Sequence, residues 1–233
     1  MTTERSTADL LPTVSRSTTL PGVLLFSGAA AVLMGIITAE ALYPAAAHYN
    51  THTSTVSDLA AMRPDNIVQQ PSAMIFNVTM ILAGLAFAVS AYLLQREGGG
   101  RRLTIPLALL GCGMIGVGFV PGNHLALHTL FAMTAFVSGG VGALLTAKSH
   151  TGALRAIYRS LGIASLTSLA VGSLLIEWAP VARFGEGAAE RWVIYPVVFW
   201  VIALGVTLVT ANERKAGDEP IGAVHAVASG ANV

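Results

Sequence analysis

Charge is what this sequence has least of. Only 11% of its residues are Asp, Glu, Lys or Arg, against 54% hydrophobic ones, a balance that excludes an ordinary soluble domain. The net charge of +1 says nothing about partners, and there is no basic stripe to suggest nucleic acid. The single cysteine, Cys112, lies within an apolar block, so no intrachain disulfide can form. There is no HExxH motif: Leu125 follows His124, so no glutamate base is built beside a zinc-binding pair. No ionisable residue falls near the middle of an apolar block and no 3+3 repeat is visible, which makes transport the weakest of the functional readings.

What is present is apolar sequence in long runs. Six blocks, near residues 22–43, 72–94, 103–120, 124–147, 160–179 and 192–211, suit a hydrocarbon core about 30 Å thick. In lipid each must satisfy its own backbone hydrogen bonds, which predicts helices. The expected fold is therefore all-α: a polytopic, six-transmembrane-helix bundle over residues 21–211, with disordered tails at 1–20 and 212–233. The first block is too long for a signal-peptide core and no small-residue cleavage site follows it, so it reads as a retained helix. Ten of the thirteen Lys and Arg residues fall on one side of this topology; only Arg63, Arg183 and Arg191 fall on the other. Both termini are therefore expected in the cytoplasm, with the protein multi-pass in the cell membrane.

Glycines are spaced closely in GCGMIGVG, Gly111 to Gly118. The run contains GxGxxG, but without a preceding strand it is not a dinucleotide fingerprint. Small residues at this spacing let helices approach closely, and Gly139, Gly140 and Gly142 do the same in the fourth block.

Polar residues gather where the two longer outer loops, residues 44–71 and 180–191, meet the helix ends. Glu40, Asn77, His124, His128 and Glu177 lie near those ends, and the loops add His48, His52, Ser57, Asp58, Arg63, Asp65, Glu186, Glu190 and Arg191. His124 and His128 are four residues apart, so they share a helix face, with His128 one turn deeper. Two such imidazoles supply two corners of a zinc site, and Asp58 or Glu40 could supply a third. The alternative is a set of interfacial histidines without metal, and it is the favoured one; no cofactor is expected. Glu40 and His128 either reach the interface and bond to loop backbone or line a functional cavity.

Several segments resemble one family of prokaryotic membrane proteins, domain of unknown function 998. VSDLAAMRPDN (Val56 to Asn66) is similar to its Ser-Asp-Leu-Gly segment, with Ala60 in place of the glycine. IFN (Ile75 to Asn77) resembles the start of its second helix, and GVGFVP (Gly116 to Pro121) the end of its third. His128, Ala132, Phe136 and Gly139 match its His-x3-Ala-x3-Phe-x2-Gly pattern, and Glu190, Arg191, Tyr195, Pro196 and Trp200 its Glu-Arg…Tyr-Pro…Trp element. The resemblance covers most of residues 22–211 and implies a six-helix topology without an assigned reaction. The family also looks distantly similar to the eukaryotic Frag, DRAM and Sfk group, linked to lipid organisation and membrane trafficking.

Topology and resemblance both put Ser57, Asp58, Asn77, His128, Glu190 and Arg191 in the outer third of the bundle. Asp58 is expected to pair with Arg191, clamping the first outer loop to the last helix, and is also the expected partner of His128. Two functions stay open. In the first, the outer polar cluster, with Glu40, Asn77, Glu190 and Arg191 as ligand-binding candidates, takes a lipid headgroup, a small solute or a membrane protein partner. In the second the protein is a membrane hydrolase or transferase, in which Asp58 and His128 activate water or Ser57, with or without zinc.

Overall fold

The computed structural model describes residues 18–120, 125–175 and 178–217. The expected tails, His124 and Glu177 lie wholly or largely outside these residues. Among the described residues seven α-helices run in chain order: α1 (Thr19–Ala41), α2 (Ser72–Arg96), α3 (Arg101–Phe119), α4 (Leu125–Lys148), α5 (Gly152–Leu174), the short α6 (Ala179–Phe184) and α7 (Glu186–Gly217). Among the described residues the sole β feature is one bridge between Met62 and Ile67. Within the described residues five helices are long and apolar enough to cross a membrane: α1, α2, α3, α4 and the Glu186–Ala211 part of α7.

Two helices differ most in their bounds from the sequence expectation. The fifth helix covers 152–174 rather than 160–179, so Arg155 and Arg159 belong to a helix and not to a loop. Arginine is a good helix former, and Pro180, in the first turn of α6, begins a new helix instead of continuing the old one. The last helix starts at Glu186, not near 192, and extends to Gly217, past the expected start of the tail at 212. Gly185, at φ +82°, makes the turn into it, and an acidic first-turn residue suits a helix N-terminus. Glu190 and Arg191 therefore stand on the second turn of a helix, which fixes their directions.

The long helices close a ring. Each of α1 to α4 packs against its successor, α4 packs against α5, α5 against α7, and α7 returns to α1. Glycine permits the tightest crossings. A Cβ added at Gly111 would lie 2.6 Å from the Gly84 carbonyl oxygen, and one at Gly84 would lie 2.7 Å from that of Gly111, so α3 and α2 meet backbone to backbone. The GCGMIGVG run works on two sides: Gly111 and Gly118 approach α2, while Gly113 and Gly116 approach α4. The core between the helices includes Leu25, Ile36, Phe87, Leu107, Trp200 and Leu204, all nearly inaccessible. Apolar side chains such as Leu82, Leu130 and Phe199 point outward instead, as lipid-facing surfaces require.

α5 fits this ring unevenly. At Gly162 it touches α4, where a Cβ would meet the Gly140 carbonyl oxygen at 2.9 Å. Its buried residues are Tyr158, Gly162 and Ser165, with none between 166 and 174. A Cβ at Gly172 would have only Ala189 as a neighbour, at 3.6 Å. α4 and α5 are therefore tight near the middle of α5 and parted toward its C-terminal end, where the 42–71 loop lies.

Gly111→Ala should lower the yield of folded, monodisperse protein, because overpacking at a backbone-to-backbone crossing costs about 1–3 kcal/mol. Gly100→Ala is the control: its Cβ meets nothing within 4 Å. Equal melting temperatures in detergent for the two variants would show that the crossing has slack.

Candidate functional site

The site is assembled by the 42–71 loop folding back over the bundle. Its centre is the segment Thr55-Val56-Ser57-Asp58. The Thr55 N–H donates to Asp58 Oδ2 at 2.7 Å and the Asp58 N–H to Thr55 Oγ1 at 3.3 Å, a reciprocal capping box that starts the helical turn Ser57–Leu59. Ala60 follows in right-handed helical backbone, φ −77° and ψ −43°. Its methyl group is buried in the core, so alanine serves where the resemblance has glycine.

Asp58 does not pair with Arg191. Its partner is Arg63, whose Nε donates to Oδ1 at 3.0 Å and whose Nη2 donates to Thr55 Oγ1 at 3.0 Å. Arg63 is brought there by the Met62–Ile67 bridge, which closes residues 62–67 into a tight turn. Burial alone lowers the pKa of the Arg63 guanidinium, but the hydrogen bond and charge of Asp58 outweigh it and raise the value. Asp58, 5% exposed, is committed on both oxygens to holding the loop.

Arg191 pairs with Glu40 of α1 at 2.5 Å through Nη2. Nη2 also donates to the Tyr49 hydroxyl at 2.6 Å, and Nη1 to the carbonyls of Thr51, Ser54 and Gly187 at 3.0, 3.1 and 2.7 Å. Tyr49 in turn donates to the Thr55 carbonyl at 3.1 Å. Burial pushes the Tyr49 phenol well above its ordinary pKa; Arg191 opposes the shift and Glu40 adds to it. The phenol therefore stays protonated and able to donate. α1, the loop and α7 are thus joined at one guanidinium.

The neighbouring Glu190 faces another way. Its Oε2 accepts a short bond from the Val56 N–H and its Oε1 accepts from Ser57 Oγ at 3.1 Å. Glu190 and Ser57 line a cavity of about 320 Å³, walled also by α4 and by the parted end of α5. Its mouth carries Arg63, Glu186 and Leu125, and its α5 wall Ser168 and Gly172. Ser57, Glu190, Ala132 and Phe136 are shared with a second space, of about 70 Å³, that runs between apolar side chains such as Ile36, Phe87 and Leu110. A mostly apolar chamber with a few polar groups, at the bundle end, thus abuts an almost wholly apolar one in its core.

His128 is on the first cavity's α4 wall, 5% exposed. Its Nδ1 lies 2.6 Å from the Val120 carbonyl at the end of α3. Its Nε2 is buried and has no hydrogen-bond partner within the protein. The expectation that His128 turns inward toward outer-loop groups holds; the expectation that Asp58 is its partner does not, because Arg63 occupies that carboxylate.

The other candidates separate. Asn77 sits at the α2–α3 crossing, where its backbone carbonyl oxygen would lie 2.7 Å from a Cβ added at Gly118; its buried Oδ1 has no protein partner. His52 Nε2 bonds to the Arg183 carbonyl at 2.9 Å, tying the loop to α6. His48 takes a left-handed backbone, φ 57°, at a turn. Among the described residues no three His, Cys, Asp or Glu side chains come together as metal ligands. Thr55 and Tyr49 are site residues that the sequence reading does not single out. The Thr-x-x-Asp spacing is a readable signal for the first, whereas Tyr49 carries none.

Span-length apolar helices around a closed core define a multi-pass membrane protein of uncharacterised activity. The chain matches the model of the family described as protein of unknown function (DUF998) over residues 17–207, and it belongs to that family. No curated protein and no solved structure matches it.

Arg191→Met should lower stability by about 3–5 kcal/mol, since it strands a half-buried Glu40 and three carbonyls. Arg63→Met, itself 40% exposed but the partner of the buried Asp58, should cost less, about 1–3 kcal/mol, because the Thr55 N–H still holds that carboxylate. Thermal unfolding of both variants in one detergent checks the order.

Proposed function

We propose that the protein binds an amphipathic lipid, whose headgroup occupies the cavity beside His128 and whose chain leaves between α4 and α5. The observation that carries the reading is the buried, unpartnered His128 Nε2 in a chamber at the parted end of those helices. A polar side chain at that depth is expected to have a partner. The adjoining apolar space offers a place for hydrocarbon, and pockets of this size with few convergent polar groups are typical of small-molecule sites. The distant resemblance to the Frag, DRAM and Sfk group points the same way.

In this reading α5 is the sixth span. Its 23 residues reach about 35 Å at 1.5 Å per residue, and it closes the ring between α4 and α7. Both termini are cytoplasmic, and the cavity faces outward, in the outer leaflet of the cell membrane. Arg96, Arg101, Arg102, Lys148, Arg155 and Arg159 then lie inside, in keeping with the positive-inside rule. In a Cys112→Ala background, an impermeant maleimide added to intact cells should label Asp65→Cys and spare Gly100→Cys and Ser149→Cys. The opposite pattern would turn the cavity to the cytoplasm.

A membrane hydrolase or transferase is the second reading. Ser57 Oγ donating to Glu190 Oε1 at 3.1 Å favours it, since a carboxylate so placed can activate a hydroxyl. Asp58, engaged with Arg63, drops out as its base.

The protein should carry lipid through purification in lipid-preserving polymer, read by native mass spectrometry. Thr129→Trp, on an exposed part of the cavity wall, should reduce bound lipid about tenfold, equivalent to 1.4 kcal/mol. Undiminished lipid in that variant would remove the cavity from consideration. Ester-linked lipid recovered intact with wild type and Ser57→Ala alike supports binding; cleavage by the wild type alone promotes the hydrolase.

A further inference from the structure

We infer that the headgroup is an uncharged, hydroxyl-rich one, such as a sugar or glycerol, and that it donates a hydrogen bond to His128 Nε2. The inference rests on the lipid-binding reading above and adds the polarity of the ligand. It starts from the Val120 carbonyl. A carbonyl oxygen can only accept, so the 2.6 Å contact puts the proton on Nδ1. A neutral imidazole with its proton there carries a lone pair at Nε2, and that atom is buried without a protein partner. The ligand atom opposite must be a donor.

Other groups on the wall have the same polarity. Ser57 gives its hydroxyl proton to Glu190, so its oxygen faces other groups with lone pairs only. Glu186 adds an exposed carboxylate. Beside these acceptors stand the hydroxyls of Thr129, Ser168 and Ser173.

Charge disfavours the other headgroups. A phosphate needs an uncompensated cation, but the charge of Arg63 is paired with Asp58. Glu186 and Glu190, which share the cavity wall with Arg63, repel an anion further. An ammonium group needs a desolvated counter-charge with unused acceptor geometry. Glu190 already spends one lone pair of each oxygen on Val56 and Ser57, and Glu186 is exposed, where water screens its charge. A hydroxyl needs no counter-charge, and it can donate to Nε2 while accepting from Ser168 or Thr129 on the same wall.

The test offers delipidated full-length protein an equimolar mixture of glucosyl diacylglycerol, phosphatidic acid and phosphatidylethanolamine with matched acyl chains. Retained lipid is counted by native mass spectrometry. Glucosyl diacylglycerol should be retained about tenfold over either phospholipid, and the preference should vanish in His128→Phe. His128→Gln keeps a polar side chain and should weaken the preference; it serves where the phenylalanine variant does not fold. Phosphatidic acid or phosphatidylethanolamine retained preferentially, yet displaced by Thr129→Trp, overturns the inference and leaves the cavity reading standing. Retention of all three lipids that ignores Thr129→Trp, or no retention at all, fails the cavity reading and the inference with it.

Discussion

The bundle end is organised around one guanidinium. Arg191 reaches Glu40 on α1, Tyr49 and two carbonyls in the loop, and a carbonyl of its own helix. Burying a charge is costly unless it is paired and its donors are satisfied. Here the five bonds draw on three separate stretches of chain, so the loop must lie in one register before the charge is accommodated. A lysine, with a single ammonium centre, cannot span those acceptors as the planar fork does. The interaction selects a loop conformation as much as it adds stability.

Backbone contact shapes the other half of the molecule. Gly84 with Gly111, and Gly22 with Gly205, bring α2 to α3 and α1 to α7 without side chains between them. Lipid tails supply no hydrophobic drive between helices, so such close packing does much of the association. On α4, Gly139 and Gly142 admit Val197 and Trp200 of α7, drawing the centre of the ring inward. Gly140 and Gly162 close the α4–α5 seam near the middle of α5. Beyond that point α5 lacks a comparable contact, and the helices part. The cavity is thus a consequence of where the tight crossings stop.

Much of the helical fold was legible because its cause is local. Apolar blocks and glycine spacing are written in consecutive residues, and five span-length helices follow from them. The fifth block was displaced because arginine reads as loop in a hydropathy scan, yet Arg155 and Arg159 sit comfortably one turn apart on a helix. The gathering of Ser57, Glu190 and His128 at one cavity was legible as a location. Their partners were not. Opposite charges such as Asp58 and Arg191 invite pairing in a linear sequence, but a tight turn five residues on supplied Arg63 to Asp58 first. The Val120 carbonyl, which sets the His128 tautomer, has no side-chain signature at all.

Adjacent residues on a helix point about 100° apart, and this separates two jobs at Glu190 and Arg191. Arg191 faces α1 and the stretch from Tyr49 to Ser54 and is consumed by structure. Glu190 faces Val56 and Ser57 and forms cavity wall. The two are coupled because the loop reaches Glu190 only a few residues after leaving Arg191. Fixing the Ser54 carbonyl fixes where the Val56 N–H and the Ser57 hydroxyl fall, and the capping box from Thr55 to Asp58 stiffens the interval. The charge that looks functional in sequence is the scaffold, and the neighbour it positions is the group that meets the cavity.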